Sequence, residues 1–155
     1  MTDSDSPTVK ARRTAKWATT MTRWIIAFDV GGKRLGSKRV KAARRWQLVA
    51  FNGPNGSESR GIVDLLAIRK DHREPSDDSF KRGDLFEFVL IQVKGGDAAW
   101  PTAEDCRRLR AVARRYRAKA VVLAEWKKGK RPEFFQLKRT LFDRKQPINP
   151  GTVFK

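Results

Sequence analysis

Between Val9 and Phe28 the large apolar residues fall at Trp17, Met21, Trp24, Ile25 and Phe28. Spacings of four, three, one and three predict a helix with those side chains as its buried stripe. The threonines there and the compact run Trp24–Phe28 leave a strand open as the alternative. Gly31-Gly32 closes the element. Gly36 to Arg45 reads as a second, shorter basic helix, with Val40, Ala43 and Trp46 on one side. Residues 1–8 are polar, contain Pro7, and read as a disordered tail. Residues 9–155 then form a single domain.

The rest of the chain alternates between strand and helix patterns. Gln47–Asn52 reads as a strand and Asn52–Gly56 as a turn-rich loop. Gly61–Arg69 is a second strand, and Lys70–Gly83 a polar connector. Leu85–Lys94 is a third strand, apolar on both faces around Phe88–Ile91, which predicts a central position in a sheet. Gly95-Gly96 ends it. Thr102-Ala-Glu-Asp105 resembles a capping box at the start of a helix. That helix places Cys106, Leu109, Ala113 and Tyr116 on one face and six arginines elsewhere. Ala120–Trp126 is a fourth strand, Lys127–Pro132 a basic turn, and Glu133–Leu137 a fifth strand. The fold class is α/β: a mixed sheet of about five strands flanked by helices.

Charge changes the picture more than length does. The 155 residues carry 35 Lys and Arg against 17 Asp and Glu, a formal net charge of +18. Residues 1–60 hold 13 basic and 4 acidic side chains, residues 101–155 hold 16 and 5, and residues 61–100 hold 6 and 8. A mildly acidic centre lies between two basic flanks, so a polyanionic partner is the first expectation. Charge alone does not separate DNA from RNA or from an anionic membrane surface. The acidic excess comes mostly from the connector Asp71–Asp84. A single cysteine, Cys106, excludes an internal disulfide and a Cys-rich zinc site. A single histidine, His72, excludes a multi-histidine metal site. Apolar runs are too short for a membrane span, and Asp3 and Asp5 disfavour a secretory signal. The expectation is no membrane partner and a cytoplasmic, nucleoid-associated location.

Three polar residues interrupt the apolar strands. Asp64 sits three residues after Gly61, and Gln92 and Lys94 lie two apart on the third strand, about 7 Å from each other along one face. Polar groups in strands this apolar are costly unless paired or hydrated. Phosphodiester hydrolysis needs a hard cation held by oxygen ligands and a positive group near the attacking water. Asp64, the amide oxygen of Gln92 and the carbonyl of Val93 are the metal-ligand candidates, for Mg²⁺ or Mn²⁺. Lys94 is the candidate that stabilises charge developing on the phosphate.

Gly61-Ile-Val-Asp64-Leu-Leu-Ala-Ile followed by Val89-Leu-Ile-Gln92-Val-Lys94 resembles the core of the PD-(D/E)XK nuclease superfamily. The Gln-Val-Lys version is similar to the Asp…Gln-x-Lys pattern of Mrr-like restriction enzymes, and the core to that of Holliday junction resolvases. The resemblance covers roughly residues 38–137. It implies a restriction-endonuclease-like αβββαβ core and a Mg²⁺-dependent endonuclease acting on DNA, including branched or otherwise structured DNA. It also implies a homodimer. Catalysis would fall to Asp64, Gln92 and Lys94, with Glu58 as a further acid. Two departures stand out: Gln92 replaces the usual second acid, and neither helix predicted before residue 46 contains Asp or Glu. Glu58 is the nearest substitute in sequence to Asp64, whereas Glu87 points to the face opposite Gln92. Arg107, Arg110, Arg114 and Arg117 on the basic helix, with Lys127 and Lys128 in the turn, are the phosphate-contact candidates. Trp17, Trp24 and Trp46 read as core; Trp100 and Trp126 are open to either stacking on bases or packing. The second function class is a non-catalytic nucleic-acid-binding protein on the same fold.

Overall fold

A computed structural model describes residues 6–30, 46–51 and 61–154. The chain runs through α1 (Pro7–Trp24), a π-helical turn (Ile25–Val30), β1 (Gln47–Ala50), β2 (Leu65–Lys70), β3 (Phe86–Gly95), α2 (Ala103–Tyr116), β4 (Ala120–Trp126), β5 (Glu133–Gln136) and the short α3 (Gly151–Phe154). The five strands lie side by side in chain order. All neighbours are antiparallel except β3 and β4, which run parallel with α2 as their crossover. A parallel pair needs such a crossover. The α/β class and the mixed five-strand sheet are as expected. The predicted helix over 36–45 and the loop at 52–56 fall outside the described residues.

Alternation along β3 sorts the core into two layers. Val89 and Ile91 face one way and pack with Leu65, Ala67, Val122, Ala124, Phe134, Ile25, Ile26, Trp46 and Phe154. Leu90 faces the other way, with Leu123, Val121, Phe135, Cys106 and Leu109 beneath α2. Trp46 belongs to the first layer as expected: its Nε1–H donates to the Phe154 carbonyl at 3.0 Å, and the Arg69 guanidinium lies 4.3 Å from its ring centroid.

The first helix differs from expectation at both its start and its buried face. It begins at Pro7, with the Ser6 hydroxyl accepting from the Val9 N–H. Pro7 therefore opens a helix, where its fixed φ and missing N–H are an advantage, and Pro7 and Thr8 are not tail. The buried stripe is Ala18, Thr22, Ile25 and Ile26; Trp17 and Trp24 are each 53% exposed. The reason lies in β3. A Cβ added to Gly95 would stand 2.9 Å from the Ala18 Cβ and 3.1 Å from the Thr14 carbonyl oxygen. A helix this close to strand backbone accepts only small side chains at the crossing, so the tryptophans are turned outward. Thr22 is buried without cost because its hydroxyl donates to the Ala18 carbonyl at 2.8 Å.

α2 has its predicted capping box, with the Asp105 N–H donating to the Thr102 hydroxyl at 3.1 Å and the Thr102 N–H to the Asp105 carboxylate at 2.9 Å. Its inward face ends earlier than expected. Tyr116 is 64% exposed. Arg117 takes a left-handed conformation (φ 52°) that ends the helix, and Ala118 packs on the core instead. Strand ends also shift: β2 starts at Leu65 rather than Gly61, and β5 ends at Gln136.

Candidate functional site

At the end of β2 the chain bends, and Asp64 is where it does so. The β2–β3 register pairs Leu65 with Ile91, yet the Asp64 N–H also reaches the Ile91 carbonyl at 3.0 Å, one residue out of step. The Asp64 carbonyl meanwhile accepts from the Phe51 N–H at 3.0 Å. Beyond this point β3 runs on without β2, and the Asp64 carboxylate takes over: its Oδ2 accepts from the Val93 N–H at 2.7 Å. An apolar strand residue at position 64 would leave that buried-edge amide unserved. Asp64 is therefore a structural cap on β3 whatever else it does.

The same hydrogen bond positions the other oxygen donors. In a strand the N–H and C=O of one residue point toward the same neighbour, so the Val93 carbonyl also faces the edge that β2 has left. Gln92 is 5% exposed, and its Oε1 is buried without a hydrogen-bond partner among the described residues. An orphaned buried amide oxygen costs about 1–3 kcal/mol, and an ordered water or an ion is among the things that can offset that cost. Lys94 is half-buried two residues on, sharing Gln92's face. Its charge reaches the start of α2: the Asp105 carboxyl is held below the usual carboxylate range, first by the Thr102 backbone N–H and, more weakly, by Lys94 and Arg108. Asp64, Gln92, Val93 and Lys94 thus gather at one end of the sheet. Oxygen donors of this kind, one of them a carboxylate, fit a hard cation that keeps several waters.

Two residues at this end were not expected. Glu125 is the parallel-register partner of Lys94 on β4, is nearly buried, and meets Lys127 Nζ and the Arg144 guanidinium, each at 3.9 Å. Arg144 also covers the Trp100 ring at 4.3 Å, while Trp100 packs edge-on against Phe135 at 5.0 Å. Trp100 is thereby committed to packing. An acid late in an otherwise apolar strand was the available signal for Glu125, the same one that marked Asp64. The backbones of β2 and β4 lie two strand spacings apart, about 10 Å, so the two carboxylates flank β3 rather than converge. Among the described residues no group of three or more His, Cys, Asp or Glu side chains is placed to hold a metal ion. Glu58 lies outside the described residues.

The basic candidates separate. Lys127 and Lys128 follow β4 at the site end, and both are exposed. Arg107 and Arg108 sit on the first turns of α2, Arg107 paired with Glu104 at 3.7 Å. Arg110 follows one turn on and is half-buried. Arg114 and Arg117 are carried toward the opposite end, about 14–18 Å from Asp105 at 1.5 Å per residue. Glu87 does point away from Gln92. It is buried beside Arg69 at 2.7 Å, with Arg73 at 3.5 Å and Lys119 at 3.8 Å. The acidic excess of the connector serves turns: Asp71 grips the Arg73 guanidinium, which draws its carboxyl down to about 2, while Asp77 and Asp84 accept from the backbone N–H groups of Ser79 and Lys81.

Among the described residues no helix is long and apolar enough to cross a membrane. The chain matches no family model, no curated protein and no solved structure.

Proposed function

We propose that this chain is a metal-dependent nuclease of the PD-(D/E)XK type that hydrolyses phosphodiester bonds in DNA, branched or otherwise structured DNA included. The observation that carries the reading is the buried Oε1 of Gln92, which has no hydrogen-bond partner among the described residues. Lys94 shares its strand face, and Asp64 holds the backbone N–H of the neighbouring Val93. Asp64 would supply the one formal negative charge toward Mg²⁺ or Mn²⁺, and Gln92 and the Val93 carbonyl neutral oxygens. A divalent ion so held polarises a phosphoryl oxygen and makes a bound water more acidic. The ammonium of Lys94 would hold the phosphate and stabilise the charge that develops on it. Lys127, Lys128 and Arg108 surround this end with positive charge, which raises the local concentration of a polyanion. A homodimer and a nucleoid location belong to this proposal through the resemblance alone.

A binding-only reading has one observation in its favour: a single carboxylate, Asp64, serves the candidate metal position among the described residues. The deciding experiment incubates the purified protein with supercoiled plasmid and with branched DNA, in Mg²⁺, in Mn²⁺ and in EDTA. The nuclease reading expects cutting that EDTA abolishes. Uncut substrates in both metals leave the binding protein as the better account.

A further inference from the structure

From Pro7 to Trp24 the first helix contains no acidic residue, and its outer side carries a repeated pattern. Trp17 and Trp24 are seven residues apart, so they stand one above the other about 10.5 Å apart along the axis. Each is 53% exposed. Lys16 and Arg23 form a second exposed column with the same spacing, one residue around the helix. Beneath Trp24 a cleft of about 350 Å³ opens between the helix and β1, lined by Thr20, Arg23, Trp24, Trp46 and Leu48 among others. The helix cannot turn these rings inward, because Gly95 and Gly96 hold its neighbouring side against β3 through Thr14 and Ala18. Large rings displayed on a rigid helix mark a contact surface.

We propose that this outer face of α1 binds single-stranded nucleic acid, with Trp17 and Trp24 stacking on bases and the Lys16–Arg23 column tracking the backbone. A 10.5 Å rise matches about three nucleotides at 3.4 Å per step. Bases offer a π-face in any sequence, and a stacking platform flanked by cations is how such strands are held. A duplex hides its base faces, so the rings discriminate in favour of unpaired strand. Charge selects the partner: the helix has cations throughout and no acid of its own, on a chain of net charge +18. The crossing at Gly95 sets α1 on the face of the sheet opposite the one that Gln92 and Lys94 share. The inference deepens the nuclease reading by naming an unpaired strand as what the enzyme would hold, but binding is independent of cutting.

The test is done in EDTA, so that it answers separately from any nuclease assay. Labelled dT and rU oligonucleotides and a duplex of equal length are titrated by fluorescence anisotropy against wild type, Trp17→Ala/Trp24→Ala and Trp17→Phe/Trp24→Phe. The expected result is at least a tenfold loss of affinity for the single strands in the alanine pair, and less than a threefold change for the duplex. The phenylalanine pair recovers most of the loss. Whether dT or rU binds better separates DNA from RNA as the source of the strand. Circular dichroism of each variant shows that α1 is still folded, so that a loss of affinity is read on intact protein. Unchanged single-strand affinity overturns the proposal, as does an equal loss on duplex. So does binding to phosphatidylserine vesicles, or self-association, that the alanine pair abolishes while oligonucleotide affinity stays intact.

Discussion

Replacing Asp64 by alanine strips the Val93 N–H of a charged acceptor at 2.7 Å, an interaction worth about 1.5–3 kcal/mol. Asp64→Asn retains an acceptor oxygen and removes the charge. Thermal melts should therefore show Asp64→Ala clearly destabilised and Asp64→Asn only slightly so, while metal-dependent cleavage is lost in both. Gln92 behaves differently because its Oε1 has no partner to lose among the described residues. Gln92→Met is expected to unfold at the wild-type temperature or above it and to be inactive; a drop of several degrees would show that the amide stabilises the fold. Lys94→Ala should cut cleavage by about 10²–10³ with near-normal DNA affinity, since one preorganised donor acts on the rate more than on binding. These three residues were legible in the sequence because each sets a polar group in an apolar strand. Glu125 carries the same mark, but its place beside Lys94 arises from a register between strands some thirty residues apart, which no local pattern encodes.

The α1–β3 crossing and the α2 cap are the elements whose energetics can be read most directly. Gly95→Ala places a methyl 2.9 Å from the Ala18 Cβ, and overpacking of this kind costs about 1–3 kcal/mol. Ala18→Gly should recover part of that loss in a double-mutant cycle by denaturant unfolding. At α2, Thr102→Ala removes a side-chain acceptor and should cost about 1 kcal/mol. The Asp105 carboxyl lies below its ordinary value in the folded chain, so its contribution is present above pH 4 and lost as pH falls through the folded value. Acid unfolding of Asp105→Ala should accordingly show a shallower loss of stability below pH 4 than wild type. The start of α2 was legible, since its cap and its inward Cys106 and Leu109 are local signals, whereas Tyr116 was placed inward and is exposed. α1 was recognised as a helix but turned the wrong way. Its largest apolar residues were assigned to the core, whereas a glycine some eighty residues distant fixes how near the helix comes and which side chains fit beneath it.

At the scale of the molecule the two basic helices, far apart in sequence, lie on the two faces of one sheet: α1 on one, α2 on the other. Duplex binding is expected to weaken with salt along a slope of about −0.9 per phosphate neutralised. An affinity that barely responds to salt would argue that the charge of +18 serves something else.

The parallel seam between β3 and β4 adds a consequence for assembly. β1, β2 and β3 follow one another as antiparallel neighbours, and β4 and β5 are joined by the turn at 127–132; the two groups are hydrogen-bonded as strands along that seam alone. A tight turn cannot close it, so it awaits the docking of α2. Asp64, Gln92 and Lys94 stand on one side and Glu125 with Arg144 on the other. On the proposed reading, a chain still emerging or half-folded would carry cations enough to grip nucleic acid before the two halves of the candidate site have met, and cutting would be deferred until the sheet is whole.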